Sequence, residues 1–259
     1  MSRLGRWLRK RTGLPLPDPI PDIHKPLDSV KDLPGQVFGL KEEIKGKIAH
    51  ALGGDGAESA VADISRIVEP LPPDHAVAVL TGVDAFLQTG DLNHLSPLAI
   101  LMEGEIRTAR NLAITSADPI PDAVVAAMPA EVRELCATTK IVQVDKIAGV
   151  LNLPKAALGH LSDAGAITLI DVIAFRVVPG AVAIEDLHLW AHELWHVRQY
   201  KDWGVTEFAK KFAAGTMSFK TPEHPVNPVE DDADTFACRS FYIEKPGYLP
   251  SCQFALSQR

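Results

Sequence analysis

The segment from residue 184 to residue 203 places ionisable side chains within a run that otherwise suits a buried helix. It carries Trp190, Trp195 and Trp203, and it is followed by Gly204, a residue type that often ends a helix. Ionisable groups on a buried helix are costly unless they have partners. This segment therefore constrains the fold most, because the rest of the chain has to supply partners for the central histidines and glutamate.

The centre of that helix reads His192-Glu193-Leu194-Trp195-His196. Residues four apart lie on one face of a helix, so both imidazoles can reach one metal ion. Glu193 is then placed to contact a metal-bound water and to act as the catalytic general base. These residues predict one divalent metal ion per chain. We expect Zn²⁺, although histidine and glutamate also suit other divalent ions.

A second predicted helix supplies the third ligand. Asn227 suits its cap and Pro228 its first position, and Glu230 and Asp234 lie one turn apart on one face. We predict that Glu230 binds the metal and that Asp234 hydrogen-bonds the far ring nitrogen of a ligand histidine. The alternative is that the helix dipole alone favours these acids. The neighbouring Asp232 is expected to be solvated.

The remaining pattern predicts an α+β fold that is mostly helical. Residues 1–36 form a basic, proline-rich segment, 37–116 a helical N-terminal region, and 117–259 a domain with a small sheet and the HExxH helix. The second prolyl segment, 117–122, is expected to be a loop at the boundary of that domain. Further helices are predicted at 38–52, 57–68, 74–88, 96–114, 129–138, 143–151 and 154–163.

Two runs of β-branched residues, 166–170 and 172–178, precede the HExxH helix and predict one long strand or a hairpin. A strand in this place could pair along its edge with an extended substrate. After Gly204, Thr206 is predicted to cap a further helix. The order of strands, motif helix and acidic helix therefore suits a metal site formed between two helices beside a sheet.

These motifs resemble those of known families. HExxH followed by ExxxD on a later helix looks like the gluzincin pattern of zinc peptidases. More closely, the block from about 121 to 237 resembles the metallopeptidase domain called the extracellular contractile injection system (eCIS) core domain. The matching pieces are Ile120-Pro121, Glu131-Val132-Arg133, 165–169, 171–175, 190–200, 203–209 and 229–234. The resemblance implies a zincin-like fold and peptide-bond hydrolysis in a bacterial protein, often encoded near injection-system or toxin genes.

Other side chains are candidates for supporting roles. Zinc peptidases often stabilise the oxyanion with a histidine, tyrosine or arginine, and His224, Tyr242 and Tyr248 are candidates for this or for substrate contact. The sequence does not choose among them. His188 lies one turn before His192, where it could shape the rim of the site, but a structural role is expected.

Composition excludes several classes of protein. The net charge of -7 argues against nucleic acid as a partner. No apolar run approaches the length of a transmembrane helix, and no apolar segment follows the basic start to form a secretory signal. We therefore expect a soluble protein that is cytoplasmic as synthesised, with export by a non-Sec route as an alternative. Arg3, Arg6 and Lys10 could contact a membrane surface, and the alternative is that this basic segment is a solvated chain end.

The three cysteines, Cys136, Cys238 and Cys252, show no paired spacing. We therefore expect neither a disulfide framework nor a cysteine zinc site.

Two functions follow from the motifs. The first is a zinc-dependent metalloendopeptidase that acts on a peptide or protein substrate. The alternative is a catalytically inactive zinc-binding module, or an effector or carrier associated with secretion or injection machinery. In that case the metal would hold the helices 184–203 and 228–241 together.

Overall fold

The computed structural model describes residues 37–44, 46, 65, 68–143, 165–217 and 227–241. The described part is mostly helical and contains a small mixed sheet of four strands, so the predicted α+β class is confirmed. Residues 37–44 are helical, which agrees with the prediction of a helix over 38–52 as far as it is described. The predicted helix at 57–68 lies almost wholly outside the described residues.

Two long helices, α1 (Pro73–Thr89) and α2 (Ser96–Ala113), follow, and both were predicted. A proline lies in the first turn of each, where its missing N–H removes no helical hydrogen bond. A 3₁₀ turn (Leu92–Leu95) connects them. It packs closely against α1 at Gly82, where an added Cβ would lie only 2.3 Å from the His94 carbonyl oxygen. The sharp turn between the helices therefore requires glycine at that position.

The sheet consists of β1 (Asp118–Pro119), β2 (Lys140–Gln143), β3 (Ala166–Leu169) and β4 (Val172–Phe175), in the order β1-β2-β4-β3. β2 and β4 are parallel, and the other neighbours are antiparallel. Strands β3 and β4 form the hairpin that was one of the two predicted forms of 166–178. Among the described strands, β3 therefore lies at an edge of the sheet, next to β4.

Two sequence predictions fail at the other side of the sheet. The prolyl segment 117–122 is not wholly a loop, because β1 pairs there with β2. Residue 143 was expected to begin a helix but ends β2. The partner of β2 is β4, about thirty residues later, so this pairing is non-local. The predicted helix over 154–163 and the remainder of the one over 143–151 lie outside the described residues.

Helices cover both faces of the sheet. Ala109 and Ala113 of α2 pack with Val172 and Ala174 on one face. On the other face Ile173 and Phe175 pack with Trp190 and Leu194 of the helix α5 (Ile184–Trp203). All four residues of β4 are buried, because successive side chains point to opposite covered faces. The sheet therefore fixes one face of α5.

Short helical turns connect β1 to β2, namely α3 (Asp122–Ala127), α4 (Ala130–Arg133) and a 3₁₀ turn (Glu134–Ala137). The last two confirm the helical prediction for 129–138.

The helix α5 ends at Gly204, which has a φ of 78°, and α6 (Val205–Met217) and α7 (Pro228–Phe241) follow. The predicted bounds of α5 and the predicted start of α7 are confirmed. Thr206 is not a cap, because α6 already begins at Val205. Its hydroxyl instead donates a hydrogen bond to Glu103 of α2.

The hairpin turn is tied to α2. Ile170 has a φ of 65°, an unfavourable value for a β-branched residue. The next residue, Asp171, accepts two hydrogen bonds from the Arg110 guanidinium, each 2.7 Å long. This bidentate pair helps to hold the turn in its strained form.

Cys238 is disulfide-bonded, whereas Cys136 is buried and free. The cysteine spacing argued against a disulfide framework and did not predict this single bond. Sequence spacing does not show which cysteines the fold brings together, and the bonded partner lies outside the described residues. None of the helices in the described ranges combines the length and the apolar character needed to span a membrane.

Candidate metal centre

Three side chains from α5 and α7 converge on one point. His192 Nε2 lies 3.0 Å from His196 Nε2 and 3.2 Å from Glu230 Oε2, and His196 Nε2 lies 3.3 Å from the same carboxylate oxygen. Tetrahedral Zn²⁺ with ligand bonds of about 2.0–2.1 Å separates its donor atoms by roughly 3.3 Å. The donor set therefore has the spacing that a bound metal ion requires, and the group could hold such an ion.

The two helices shield this group unequally. The side chains of His192 and His196 are 12% and 6% exposed, whereas Glu230 is 34% exposed. The histidines thus come from the interior of the α5–α7 contact, and the carboxylate closes the group on the solvent side.

The start of α7 fixes the position of Glu230. The Val229 N–H donates to the Asn227 side-chain oxygen over 3.0 Å, which confirms the predicted cap. The Asn227 amide also donates to the Phe212 carbonyl of α6 over 2.8 Å. At Gly215 of α6, an added Cβ would lie 2.1 Å from Asn227 Oδ1. This close approach anchors the first turn of α7, and with it Glu230, to α6.

Asp234 lies where it was predicted. Its Oδ1 is 2.7 Å from His192 Nδ1. A carboxylate only accepts hydrogen bonds, so Nδ1 donates and Nε2 is directed toward His196 and Glu230. The same two helices also meet at Trp195 of α5 and Phe236 of α7, whose rings stack with centroids 4.1 Å apart. The stacked rings hold α5 and α7 in the register that aligns Asp234 with His192.

Hydrogen bonds within this group shift the pKa values of His192 and Glu230 in opposite directions. Burial acts to lower the pKa of His192, but hydrogen bonds to Asp234 and Glu230 outweigh it and hold the pKa well above the usual 6.5. Burial acts to raise the pKa of Glu230, yet hydrogen bonds from His192 and His196 hold it well below the usual 4.5. A metal ion that binds here has to displace the imidazole proton.

Glu193 is buried beside this group. Its carboxylate Oε2 accepts a 2.7 Å hydrogen bond from the hydroxyl of Thr168 in β3. The Thr168 oxygen also lies 3.1 Å from the Glu193 carbonyl oxygen, but a hydroxyl has a single hydrogen, and the shorter contact takes it. Sequence reasoning missed Thr168, although it is a polar residue within an apolar strand.

Two further side chains that sequence reasoning missed lie behind His196. Its Nδ1 is 2.7 Å from Gln199 Oε1, and the Gln199 amide donates to Asp232 Oδ2 over 3.0 Å. Asp232 also accepts a 2.7 Å hydrogen bond from the Trp195 indole N–H. Asp232 was expected to be solvated. It is exposed, but its carboxylate is engaged by α5.

The other candidates separate into two groups. His188 is buried, with Nε2 3.4 Å from Cys238 Sγ, and burial lowers its pKa. This packing matches the structural role expected for it. His224, Tyr242 and Tyr248 lie outside the described residues, so their role at an oxyanion or substrate stays a prediction.

Comparisons with known proteins do not identify a family for this chain. No protein-family model matches the chain, and the searches of curated proteins and of solved structures find no match either. The resemblance to the eCIS core domain therefore rests on the motif residues alone.

Proposed function

We propose that this chain is a zinc-dependent metallopeptidase of gluzincin type, with a zincin-like domain that resembles the eCIS core domain. The observation that carries the proposal is the convergence of His192, His196 and Glu230, from two different helices, on one point. Glu193 follows the first of these histidines in sequence and lies buried beside the group. This combination of three donors and an adjacent buried carboxylate is what HExxH hydrolysis requires.

Zinc is the metal we propose, because two imidazoles and one carboxylate form a ligand set typical of catalytic zinc, with one position left for water or substrate. When bound, zinc supplies Lewis acidity, which polarises a carbonyl group and lowers the pKa of water. The residues that would hold it are His192 and His196 through Nε2 and Glu230 through its carboxylate. Asp234 orients His192.

Glu193 is the proton carrier in this proposal. Its Oε2 is occupied by the Thr168 hydroxyl, which leaves Oε1 to accept a proton from the attacking water. The same carboxyl group can then deliver that proton to the leaving amine nitrogen. Thr168 acts through Glu193 by fixing which oxygen faces the reaction, so it is a positioning residue.

The proposed substrate is an extended peptide. β3 carries Thr168 and lies at an edge of the sheet, with β4 as its neighbour among the described strands. The backbone of an edge strand can pair with a peptide in extended conformation. A peptide bound in this way would run beside the strand that positions Glu193.

A second function is favoured by one observation. Glu193 is only 4% exposed, and a carboxylate held by Thr168 in the interior also suits a purely structural role. The chain would then be a catalytically inactive zinc-binding module, or an effector or carrier associated with injection machinery. Hydrolytic activity that depends on zinc distinguishes the two functions.

The metal content of the purified protein tests the site itself. We expect about one zinc per wild-type chain, consistent with a single three-ligand site. His196→Ala and Glu230→Ala should each lose most of it, because each removes one of three donors. Inductively coupled plasma mass spectrometry after dialysis gives the stoichiometry, and hydrolysis of unfolded casein before and after chelation tests the activity.

His94→Ala and Glu131→Ala are matched controls, since both residues lie outside the donor group and Glu131 is exposed. They should keep the wild-type zinc content. If the wild-type protein takes up no zinc even after reconstitution, the proposed function is wrong. Zinc uptake without any zinc-dependent hydrolysis would leave the inactive zinc module.

Thr168→Val should lower kcat by about 10-fold, because a hydrogen bond to a charged group contributes ~1.5 kcal/mol or more. KM and zinc content should stay near the wild-type values, since the Thr168 hydroxyl donates its hydrogen bond to Glu193, which is not one of the three metal donors. Thr168→Ser keeps the hydroxyl and should restore most of kcat. Equal losses in the valine and serine variants, or loss of zinc in either, would show that Thr168 serves packing only.

A further inference from the structure

We infer that Gln199 and Asp232 form a relay that fixes the tautomer of His196 and so directs its Nε2 to the metal. This inference rests on the metal site of the proposed function and assigns the second histidine a positioning system of its own. The relay is a chain of hydrogen bonds from the Trp195 indole through Asp232 and Gln199 to the imidazole.

The donor and acceptor of each hydrogen bond in the relay are fixed by groups that can only accept or only donate. An indole N–H is always a donor, and the Asp232 carboxylate oxygen that accepts it over 2.7 Å is always an acceptor. The same oxygen lies 3.0 Å from the Gln199 amide. The Val229 carbonyl oxygen, also only an acceptor, lies 3.0 Å from that same amide group. The NH₂ group of Gln199 therefore has to face α7.

Once the NH₂ group faces α7, the Gln199 oxygen has to face His196. The amide oxygen lies 2.7 Å from His196 Nδ1 and can only accept, so Nδ1 carries the hydrogen. The lone pair of the neutral ring then resides on Nε2, which lies 3.3 Å from Glu230 Oε2 at the point of convergence. Free neutral histidine carries its ring hydrogen mainly on Nε2, so the relay holds His196 in the tautomer that is less favoured in solution.

The two ligand histidines are consequently held in different ways. His192 donates directly to a carboxylate, Asp234, whereas His196 donates to a neutral amide. Gln199 is only 3% exposed and Asp232 lies at the surface, so the relay connects a buried ligand to an exposed anion. The arrangement orients the second imidazole without placing another negative charge against the site.

The test uses the full chain and two readouts. Zinc affinity is measured by competition with a chromophoric chelator, and the tautomer of His196 by ¹⁵N–¹H correlation of its ring in metal-free protein. Gln199→Met keeps side-chain length but removes both polar groups, and should weaken zinc binding by about 10–100-fold. Asp232→Ala should weaken it by about 5-fold, the usual effect of one hydrogen bond.

Three comparisons separate a relay from simple packing. Asp232→Asn keeps an oxygen for both donors, so it should restore near wild-type affinity. The double variant Gln199→Met/Asp232→Ala should bind no more weakly than Gln199→Met alone, because the hydrogen-bond path from Asp232 to His196 runs through Gln199. The exposed Gln88, which hydrogen-bonds Asp84 on α1, provides the matched control Gln88→Met, which should bind zinc as the wild type does.

The position of the His196 ring proton tests the relay without any measurement of hydrolytic activity. Wild-type His196 should carry its proton on Nδ1, and Gln199→Met should shift it to Nε2, whereas His192 should keep its Nδ1 proton in both. A wild-type proton on Nε2, or additive losses of affinity in the double variant, would overturn the relay. Zinc binding without hydrolysis would refute the peptidase proposal and leave the relay standing. Even if wild type bound no zinc, the ring tautomer would still give the answer.

Discussion

Replacing Glu193 by glutamine is expected to lower kcat/KM for peptide hydrolysis by about 10²–10⁴-fold, the usual contribution of a general base. Glutamine has nearly the same shape, and its amide oxygen can still accept the hydrogen bond from Thr168. It cannot take a proton from water. Zinc content should stay at the wild-type value, because Glu193 does not belong to the converging donor group.

The measurement combines steady-state hydrolysis of a fluorogenic peptide with zinc analysis of the same samples. Glu131→Gln makes the same chemical change at an exposed position and should keep full activity. Full activity in Glu193→Gln would contradict the role of Glu193 as proton carrier. A parallel loss of zinc and activity would instead make Glu193 a structural support of the site.

The part of this site that the sequence predicts is the part encoded by helical spacing. His192 and His196 lie one turn apart on α5, and Glu230 and Asp234 lie one turn apart on α7, so local periodicity aligns each pair. The cap at Asn227 also depends on adjacent residues only. Joining the two pairs needed one assumption, that the helices pack face to face, and the structure has this packing.

The parts that the sequence did not predict depend on contacts between distant segments. β2 was missed because its partner, β4, follows only after a long intervening segment. Thr168 was missed because its contact with Glu193 depends on where α5 crosses the hairpin. Gln199 and Asp232 have no recognisable spacing between them, and an exposed acid that follows two others at the start of a helix is readily interpreted as solvated.

Trp190→Ala is expected to lower the free energy of unfolding by about 3–5 kcal/mol, as is usual for truncating a buried tryptophan. Trp190 is fully buried between α5 and the sheet, with its ring 4.5 Å from that of Phe175 in an edge-on contact. Its indole N–H donates to the Gly180 carbonyl over 3.0 Å, so truncation also leaves that acceptor without its partner. Urea unfolding of the metal-free protein measures the change.

The exposed Val182, 90% accessible, provides the control, since Val182→Ala should alter stability by no more than about 0.5 kcal/mol. A loss below about 1 kcal/mol in Trp190→Ala would show that α5 is not held mainly by this contact, because such a value is an ordinary surface or near-surface effect.

The increase in unfolding free energy on zinc binding then tests whether the sheet also helps to position the metal ligands. At a free concentration 100 times its Kd, a metal that binds only the folded protein adds about 2.7 kcal/mol to stability. Trp190 packs on the sheet, whereas His192 and His196 face α7, so the cavity left by Trp190→Ala is separate from the donors. If α7 alone positions the histidines, zinc should stabilise Trp190→Ala and wild type equally. A smaller increment in Trp190→Ala would mean that the seating of α5 on the sheet sets the ligand geometry, and that the sheet is part of the metal site.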